Sequence, residues 1–112
     1  MSAPGAETGV RVVLVTAPDA PTAARLGRAL VEERLAACAN LVPGVRSIYR
    51  WQGDVREDAE VLLVLKTRTE RCAALAARVK DLHPYELPEV LELPATGGSD
   101  AYLAWVRTES SP

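Results

Sequence analysis

The sequence has few side chains that could carry out chemistry by themselves. Among 112 residues there are one histidine, two cysteines and no phenylalanine. Lys and Arg number 13 against 15 Asp and Glu, so the chain lacks the basic surface that binding to nucleic-acid phosphates requires. No Ser/His/Asp constellation and no phosphate-binding glycine loop is recognisable. This composition disfavours an enzyme and a nucleic-acid partner. The ordinary hydrophobic (48%) and charged (25%) fractions indicate one globular domain.

The cysteines and the apolar runs exclude further classes of protein. Cys38 and Cys72 form no CxxC pair and have no Cys/His cluster near them, which disfavours a zinc site or a disulfide framework. We expect two buried, reduced thiols, with a single disulfide as the alternative. The N-terminal residues lack the apolar segment of a signal peptide. No apolar run approaches the roughly 18 residues of a membrane span. The sequence therefore predicts a cytoplasmic protein that does not contact the membrane.

Hydrophobic periodicity divides the chain into strands and helices after a short tail. Residues 1–9 are small and polar and predict a flexible N-terminal tail, and residues 10–112 predict a single domain. Apolar β-branched runs indicate strands, and apolar residues spaced by three and four positions indicate helices. The first half is predicted to contain a strand over 10–16, a helix over 22–37 and a short extended piece over 38–42, after which Pro43-Gly44 bends the chain. Strands over 45–52 and 60–67 follow, and then a helix that starts at 69 or 70 and ends before Pro84. The last predicted elements are a strand over 89–93 and a short helix over 102–107.

This β-α-β-β-α-β order predicts an α+β fold, a ferredoxin-like sandwich with a long β-hairpin and a short C-terminal helix. Two right-handed crossovers place both long helices on one face of a four-stranded sheet. The other face keeps apolar residues, and the terminal helix is too short to cover it. We therefore predict self-association, with Tyr49 and Trp51 of the hairpin and Trp105 of the last helix as contact residues.

One histidine and the carboxylates after it form the candidate metal site. His83 is followed by Glu86 and Glu89 in a loop that Pro84 and Pro88 stiffen. An imidazole with carboxylates suits a divalent metal such as copper, and Cys38 or a neighbouring subunit would supply a further ligand. The alternative is that His83 only interacts with the end of the preceding helix.

Lys66 defines a second candidate site. It ends the most apolar strand, where it either extends to the surface along its aliphatic stem or binds an anion. In the second case Lys66, Trp51 and Tyr85 would line a cleft for a small anionic ligand. The alternative for both aromatic residues is packing or subunit contact.

Several segments together resemble one family. They are Leu35-Ala36-Ala37-Cys38-Ala39-Asn40, Pro43-Gly44, Ser47-Ile48-Tyr49, Trp51-Gln52-Gly53, Leu65-Lys66-Thr67, His83-Pro84-Tyr85-Glu86, Pro88-Glu89, Leu93-Pro94 and Tyr102-Leu103-x-Trp105. In this order, over about residues 10 to 107, they resemble the CutA divalent-cation-tolerance proteins. The resemblance implies a ferredoxin-like subunit in a PII-like homotrimer, in which the hairpin reaches a neighbour's sheet. It also implies a role in tolerance of copper and other divalent metals, with no organic cofactor and no catalytic residues.

The resemblance also bears on the metal ligands. The ligands proposed in the family include a cysteine just before Thr-Ala-Pro-Asp and a histidine pair before Pro-Tyr. Here Val15 and Leu82 stand at two of those three positions, and His83 is retained. Cys38 matches a cysteine common in the family. We therefore predict a homotrimer that binds divalent metal weakly through His83, Glu86, Glu89 and Cys38. The alternative is a PII-like signalling or scaffold protein that binds a small anion between subunits.

Overall fold

The computed structural model describes residues 8–112, which form four strands and three α-helices. The elements are β1 (Val10–Ala17), α1 (Ala20–Glu32), β2 (Cys38–Trp51), β3 (Asp54–Arg68), α2 (Cys72–Leu82), β4 (Leu91–Pro94) and α3 (Asp100–Glu109), with a short 3₁₀ turn at Thr69–Arg71.

The sheet has the strand order β2-β3-β1-β4, and every neighbouring pair is antiparallel. The predicted α+β ferredoxin-like fold is therefore confirmed. Its core lies between one sheet face and the two long helices. On that face Val13, Val15, Leu63 and Leu65 are fully buried. They pack against the apolar sides of α1 and α2, which include Leu26, Leu30, Leu75 and Val79.

The first helix is shorter than its hydrophobic pattern predicts. It begins where Asp19 Oδ1 accepts the Thr22 amide hydrogen at 2.8 Å, and it ends at Glu32 rather than near residue 37. The chain turns at Arg34, which has a φ of 59°. The amides of Leu35 and Ala36 then both donate to the Leu30 carbonyl. The hydrophobic periodicity of the sequence extends past the end of α1 because Leu35 and Ala36, which lie in this turn, are also buried in the core.

Two strand predictions are corrected as well. Pro43-Gly44 does not break the chain into two pieces, because β2 runs through it with a register shift between Val42 and Val45. Gly44 has a φ of 80°, a backbone conformation that is common in β-bulges, so β2 continues as one strand through the register shift. The last strand begins at Leu91 instead of residue 89, since its pairing with β1 extends only from Leu91 to Pro94.

The second sheet face is largely uncovered, and we call it the open face. Its apolar members are exposed or half-buried, and α3 covers only one end of the sheet, where Leu103 and Val106 pack on Val10 and Ala37. The open face consists of Val12, Leu14, Val42, Leu62, Val64, Leu91 and Leu93.

The predicted flexible tail lies mostly outside the described residues, which begin at Thr8. The last two residues of that segment are bonded to the domain. Gly9 accepts a hydrogen bond from the Thr69 amide at 2.9 Å, and the Thr8 carbonyl accepts one from Arg107 at 2.6 Å.

Candidate functional site

The main cavity is a cleft of about 830 Å³ between the β2–β3 hairpin and the loop that joins α2 to β4. We call it the hairpin cleft. One wall consists of residues 46–51 of β2, and the other consists of residues 84–87 and Glu89 of the loop. Arg56, Glu60 and Thr16 complete the lining. The cleft therefore contains Glu86 and Glu89 of the predicted metal set, and Trp51 and Tyr85 of the predicted anion set.

Three carboxylates line the cleft, and we call Glu60, Glu86 and Glu89 the acidic group. Glu60 is only 9% exposed, and its Oε2 accepts a hydrogen bond from Tyr85 Oη at 2.9 Å. Partial burial, and then the negative charge of Glu60, raise the pKa of Glu89. None of the three makes an ion pair within residues 8–112. The acidic group thus places three carboxylates, none of them ion-paired within the described residues, in one part of the cleft.

Tyr85 connects the loop wall of the cleft to Glu60 of β3. Desolvation, and then the hydrogen bond to Glu60, raise the pKa of its phenol well above the ordinary value. The hydroxyl therefore stays protonated at physiological pH and acts as a donor to Glu60. The bond joins the loop to β3 and places the aromatic ring at the acidic group.

His83 is 8% exposed, and both of its ring nitrogens are in hydrogen bonds. Nδ1 accepts the Tyr85 amide hydrogen at 3.1 Å, and Nε2 lies 2.7 Å from the Thr16 carbonyl oxygen. The Tyr85 amide can only donate and the Thr16 carbonyl oxygen can only accept. The ring is therefore neutral, with its proton on Nε2. A metal at either nitrogen would displace one of these partners, which costs about 1–3 kcal/mol for a buried group left unpaired.

Two predicted site residues lie on the side of the open face and do not line the cleft. Cys38 is half-buried, with its Sγ 3.6 Å from Tyr102 Oη of α3. Lys66 pairs with Cys38 across the strands and donates through Nζ to Asn40 Oδ1. Within one chain the structure does not bring Cys38 to His83 or Lys66 to Trp51. Between residues 8 and 112 no three His, Cys, Asp or Glu side chains are arranged to hold a metal ion.

Arginines occupy the other part of the cleft. Arg46 is paired with Glu57, whereas Arg50 and Arg56 form no ion pair in the described part of the chain. Trp51 is half-buried in the same wall. Tyr49 donates to Asp58, and this hydrogen bond raises the pKa of its phenol. The cleft thus offers cationic and aromatic groups as well as carboxylates.

The remaining predicted contact residue, Trp105, lies on α3. Its ring centroid is 5.6 Å from that of Tyr102, and the side chain is 43% exposed. Trp105 is therefore available for contact with another molecule, whereas Tyr49 and Trp51 line the hairpin cleft.

Comparison with known proteins identifies the family. The family model described as CutA1 divalent ion tolerance protein matches residues 11–109, which include every element except the first residue of β1. The chain belongs to this family. Its sequence is 55% identical over 96 residues to the divalent-cation tolerance protein CutA of Thermus thermophilus, covering 86% of this chain and 93% of that protein. It is 48% identical to the human protein CutA, covering 90% of this chain and 58% of the human one.

Solved structures of CutA1-family proteins have the same fold. The T. thermophilus protein superposes with a TM-score of 0.89 at 52% identity, covering 91% of this chain and 99% of that one. The protein from Archaeoglobus fulgidus, described as a periplasmic divalent cation tolerance protein, gives 0.88 at 30% identity, covering 91% and 99%. The resemblance inferred from the sequence is confirmed. The names of these relatives describe tolerance of divalent cations and state no reaction.

The cytoplasmic location of the protein stays a prediction. Among helices in residues 8–112, none is long and apolar enough to cross a membrane. The named relatives include the A. fulgidus periplasmic protein and a chloroplastic protein of Arabidopsis thaliana, so CutA1-family proteins are named for more than one compartment.

Glu60, Arg50 and Arg56 line the cleft although the sequence did not indicate them as site residues. Glu60 opens the apolar run EVLLVLKT, and a carboxylate directly before such a run is the one signal that could have indicated it. The arginines carry no comparable signal, because charged residues in a hairpin are ordinarily solvated.

Proposed function

We propose that this chain acts in divalent-cation tolerance as a homotrimer that binds divalent cations weakly at the acidic group of the hairpin cleft. The observation that carries the proposal is that Glu60, Glu86 and Glu89 line one cleft, and that none of them makes an ion pair within residues 8–112. Partial burial, and then the negative charge of Glu60, raise the pKa of Glu89. A divalent ion bound to these carboxylates would offset their negative charge.

Weak binding follows from the number of ligands. Carboxylate oxygens bind divalent ions, and affinity for sites of nitrogen and oxygen donors rises toward Cu²⁺ along the first-row metals. One chain, however, offers no converging group of three ligands among its described residues. The site would therefore be completed by water or by a second copy. The predicted ligands Glu86 and Glu89 remain in the proposal and Glu60 joins them. Cys38 would take part only across subunits.

The trimer is proposed from the open face and the hairpin. Leu91 and Leu93 are 55% and 42% exposed, and Ile48 and Val55 on the hairpin are 69% and 65% exposed. An apolar surface of this kind on a single chain favours burial against another copy. Tyr49, Trp51 and Trp105 stay the proposed contact residues.

The metal proposal predicts a specific loss of copper affinity. Calorimetric titration of the metal-free protein with Cu²⁺ should show affinity reduced by about five- to tenfold in Glu89→Gln and in Glu60→Gln, since each variant removes one charged ligand. Glu32→Gln is the control, because Glu32 lies on an exposed side of α1 and its one ion pair within residues 8–112 is with Arg28.

The Glu89→Gln variant also separates lost binding from lost folding. A carboxyl whose pKa is raised on folding is destabilising when ionised, so stability falls as the pH rises through that pKa. Glu89→Gln removes the penalty and should melt no lower than the wild type at pH 7 without metal. Unchanged copper affinity in both cleft variants would contradict the site.

A second candidate is supported by Arg50 and Arg56, which line the cleft beside Trp51 and Tyr85 without an ion pair in the described residues. The guanidinium groups suit a small anionic ligand that accepts hydrogen bonds from them through its carboxylates. If the cleft binds anions, citrate should raise the melting temperature, and Arg56→Ala should abolish the shift. Lys66→Ala removes the residue that the sequence predicted to bind the anion, and it should leave the shift in melting temperature unchanged. If Lys66→Ala abolishes the shift as Arg56→Ala does, the prediction that Lys66 binds the anion is favoured.

A further inference from the structure

We propose that His83 is a positioning residue, which fixes the loop wall of the hairpin cleft and holds Tyr85 against Glu60, and that it does not bind the cation itself. The proposal deepens the cation-binding function above, and its affinity readout rests on that function. The assignment departs from the expectation for a lone histidine beside carboxylates, which is metal ligation.

The His83 ring is hydrogen-bonded on both sides. The ring receives the Tyr85 amide hydrogen on Nδ1 at 3.1 Å and donates from Nε2 to the Thr16 carbonyl at 2.7 Å. Both ring nitrogens are therefore occupied by backbone groups, and the ring is 8% exposed. An imidazole ligates a metal through a free nitrogen lone pair, and this ring has none.

The hydrogen bonds of His83 connect β1 and α2 to the cleft. Thr16 is near the end of β1, so the ring ties the start of the loop to the sheet. The His83 amide also donates to the Val79 carbonyl at 2.8 Å, which fixes the same residue to the end of α2. Two residues later, Tyr85 Oη donates to Glu60 Oε2 at 2.9 Å. The chain of contacts therefore runs from β1 through His83 and Tyr85 to the acidic group.

Because the loop between α2 and β4 is short, the position of His83 affects the rest of the loop. Pro84 and Pro88 restrict its backbone, so a shift at residue 83 is passed on to Tyr85 and Glu89. The rings of His83 and Tyr85 are also packed together, with centroids 4.7 Å apart. Loss of the His83 bonds would let the loop wall that carries Glu86 and Glu89 move relative to Glu60 without removing any carboxylate.

Three substitutions distinguish a positioning residue from a ligand. His83→Asn keeps an acceptor at the position of Nδ1, His83→Gln keeps a donor near the position of Nε2, and His83→Ala keeps neither. None of the three carries an imidazole. For a positioning residue, Cu²⁺ affinity measured by calorimetry should be lowest in the Ala variant and partly restored in the Asn and Gln variants. For a ligand, all three should lose affinity equally.

Hydrogen exchange in the metal-free protein gives a readout that is independent of the cation. The Tyr85 amide should exchange about tenfold faster in His83→Ala and His83→Gln, and it should stay protected in His83→Asn, because only Asn retains the acceptor. If His83→Ala does not fold, the contrast between Asn and Gln carries the same test.

The outcomes separate the two proposals. Equal loss of copper affinity in every variant, or Tyr85 exchange that is the same in Asn and Gln, would overturn the positioning role. A wild-type protein that binds no Cu²⁺ would overturn the proposed cation binding, and the exchange pattern would still decide the role of His83.

Discussion

The two cysteines show how strongly local surroundings differ within this small domain. Cys72 begins α2 and is 5% exposed. Desolvation, and then the charge of Glu92, raise the pKa of its thiol to about 11. Cys38 is half-buried beside Tyr102. Both thiols are free, as the sequence predicted, but only Cys72 is fully buried as expected.

This difference predicts selective labelling. At pH 8 a thiol with a pKa of about 11 is roughly one-thousandth thiolate, and the thiolate is the nucleophile. In a folded variant that does not assemble, so that the side of the open face that carries Cys38 stays exposed, treatment with a disulfide reagent such as DTNB should therefore modify Cys38 before Cys72, and Cys72 should react only on unfolding. The Cys38→Ser variant should lose native labelling, and Cys72→Ser should retain it. Labelling of native Cys72 at the rate of Cys38 would refute the assignment.

At the residue scale the sequence indicated candidate side chains but not where they meet. Glu86, Glu89, Trp51 and Tyr85 lie in one cleft, whereas the sequence predicted two separate sites for them. The contact between Tyr85 and Glu60 joins residues 25 positions apart, so no local pattern could have indicated it. The bonds of His83 to backbone groups were equally hidden, because a sequence pattern shows an imidazole and not the carbonyl that faces it.

At the scale of elements, the contact between α1 and β2 is unusually close. Gly27 of α1 has no side chain, and a Cβ built there would lie 3.1 Å from the Cβ of Ala39. Ala39 belongs to β2, whose neighbours are fixed by the ladder with β3, so it has little freedom to move. The glycine is thus required by packing, although it weakens the helix.

Gly27→Ala should therefore destabilise the protein. The gain in helix propensity is about 1 kcal/mol, whereas forcing a methyl group into a packed interface costs about 1–3 kcal/mol. We expect a net loss of about 1 kcal/mol in chemical denaturation. Gly97→Ala is the matched control, since a Cβ at Gly97 would have no other atom within 4 Å. If Gly27→Ala is as stable as the wild type or more stable, β2 can move to make room for the methyl group.

Element order was predictable and element ends were not. Periodicity located all four strands and all three helices, because each must place an apolar side against one core. The end of α1 was missed because Leu35 and Ala36 are buried in a turn, which hydrophobicity alone cannot distinguish from a helix. The bend at Pro43-Gly44 was overestimated because a strand can accommodate both residues in a bulge at the sheet edge.

At the scale of the whole molecule, the shape of the chain indicates assembly. Its radius of gyration is 14.6 Å, against about 13 Å for a compact domain of this length. The longest dimension is 43 Å and the shortest is 23 Å. The hairpin extends from the core with exposed Ile48 and Val55, and the open face presents further apolar groups. Each is a surface that one chain leaves uncovered and a second copy could bury.

Assembly links stability to concentration. If unfolding requires dissociation of a trimer, the melting temperature must rise with protein concentration, by roughly 5 °C over a hundredfold range. Light scattering should give three times the 12.0 kDa chain mass. Ile48→Glu and Val55→Glu place a charge on the exposed hairpin, so each should leave a single chain folded while shifting the mass toward the monomer and removing the concentration dependence.

The control for this experiment is Arg28→Gln, because the Arg28 side chain is 79% exposed on α1, away from both apolar surfaces. It should keep the trimer mass and the concentration dependence. A wild-type mass of one chain, together with a melting temperature that does not change on dilution, would show that the open face and the hairpin remain exposed in solution. In that case the cation site would have to be complete within a single chain, and the acidic group alone would account for its affinity.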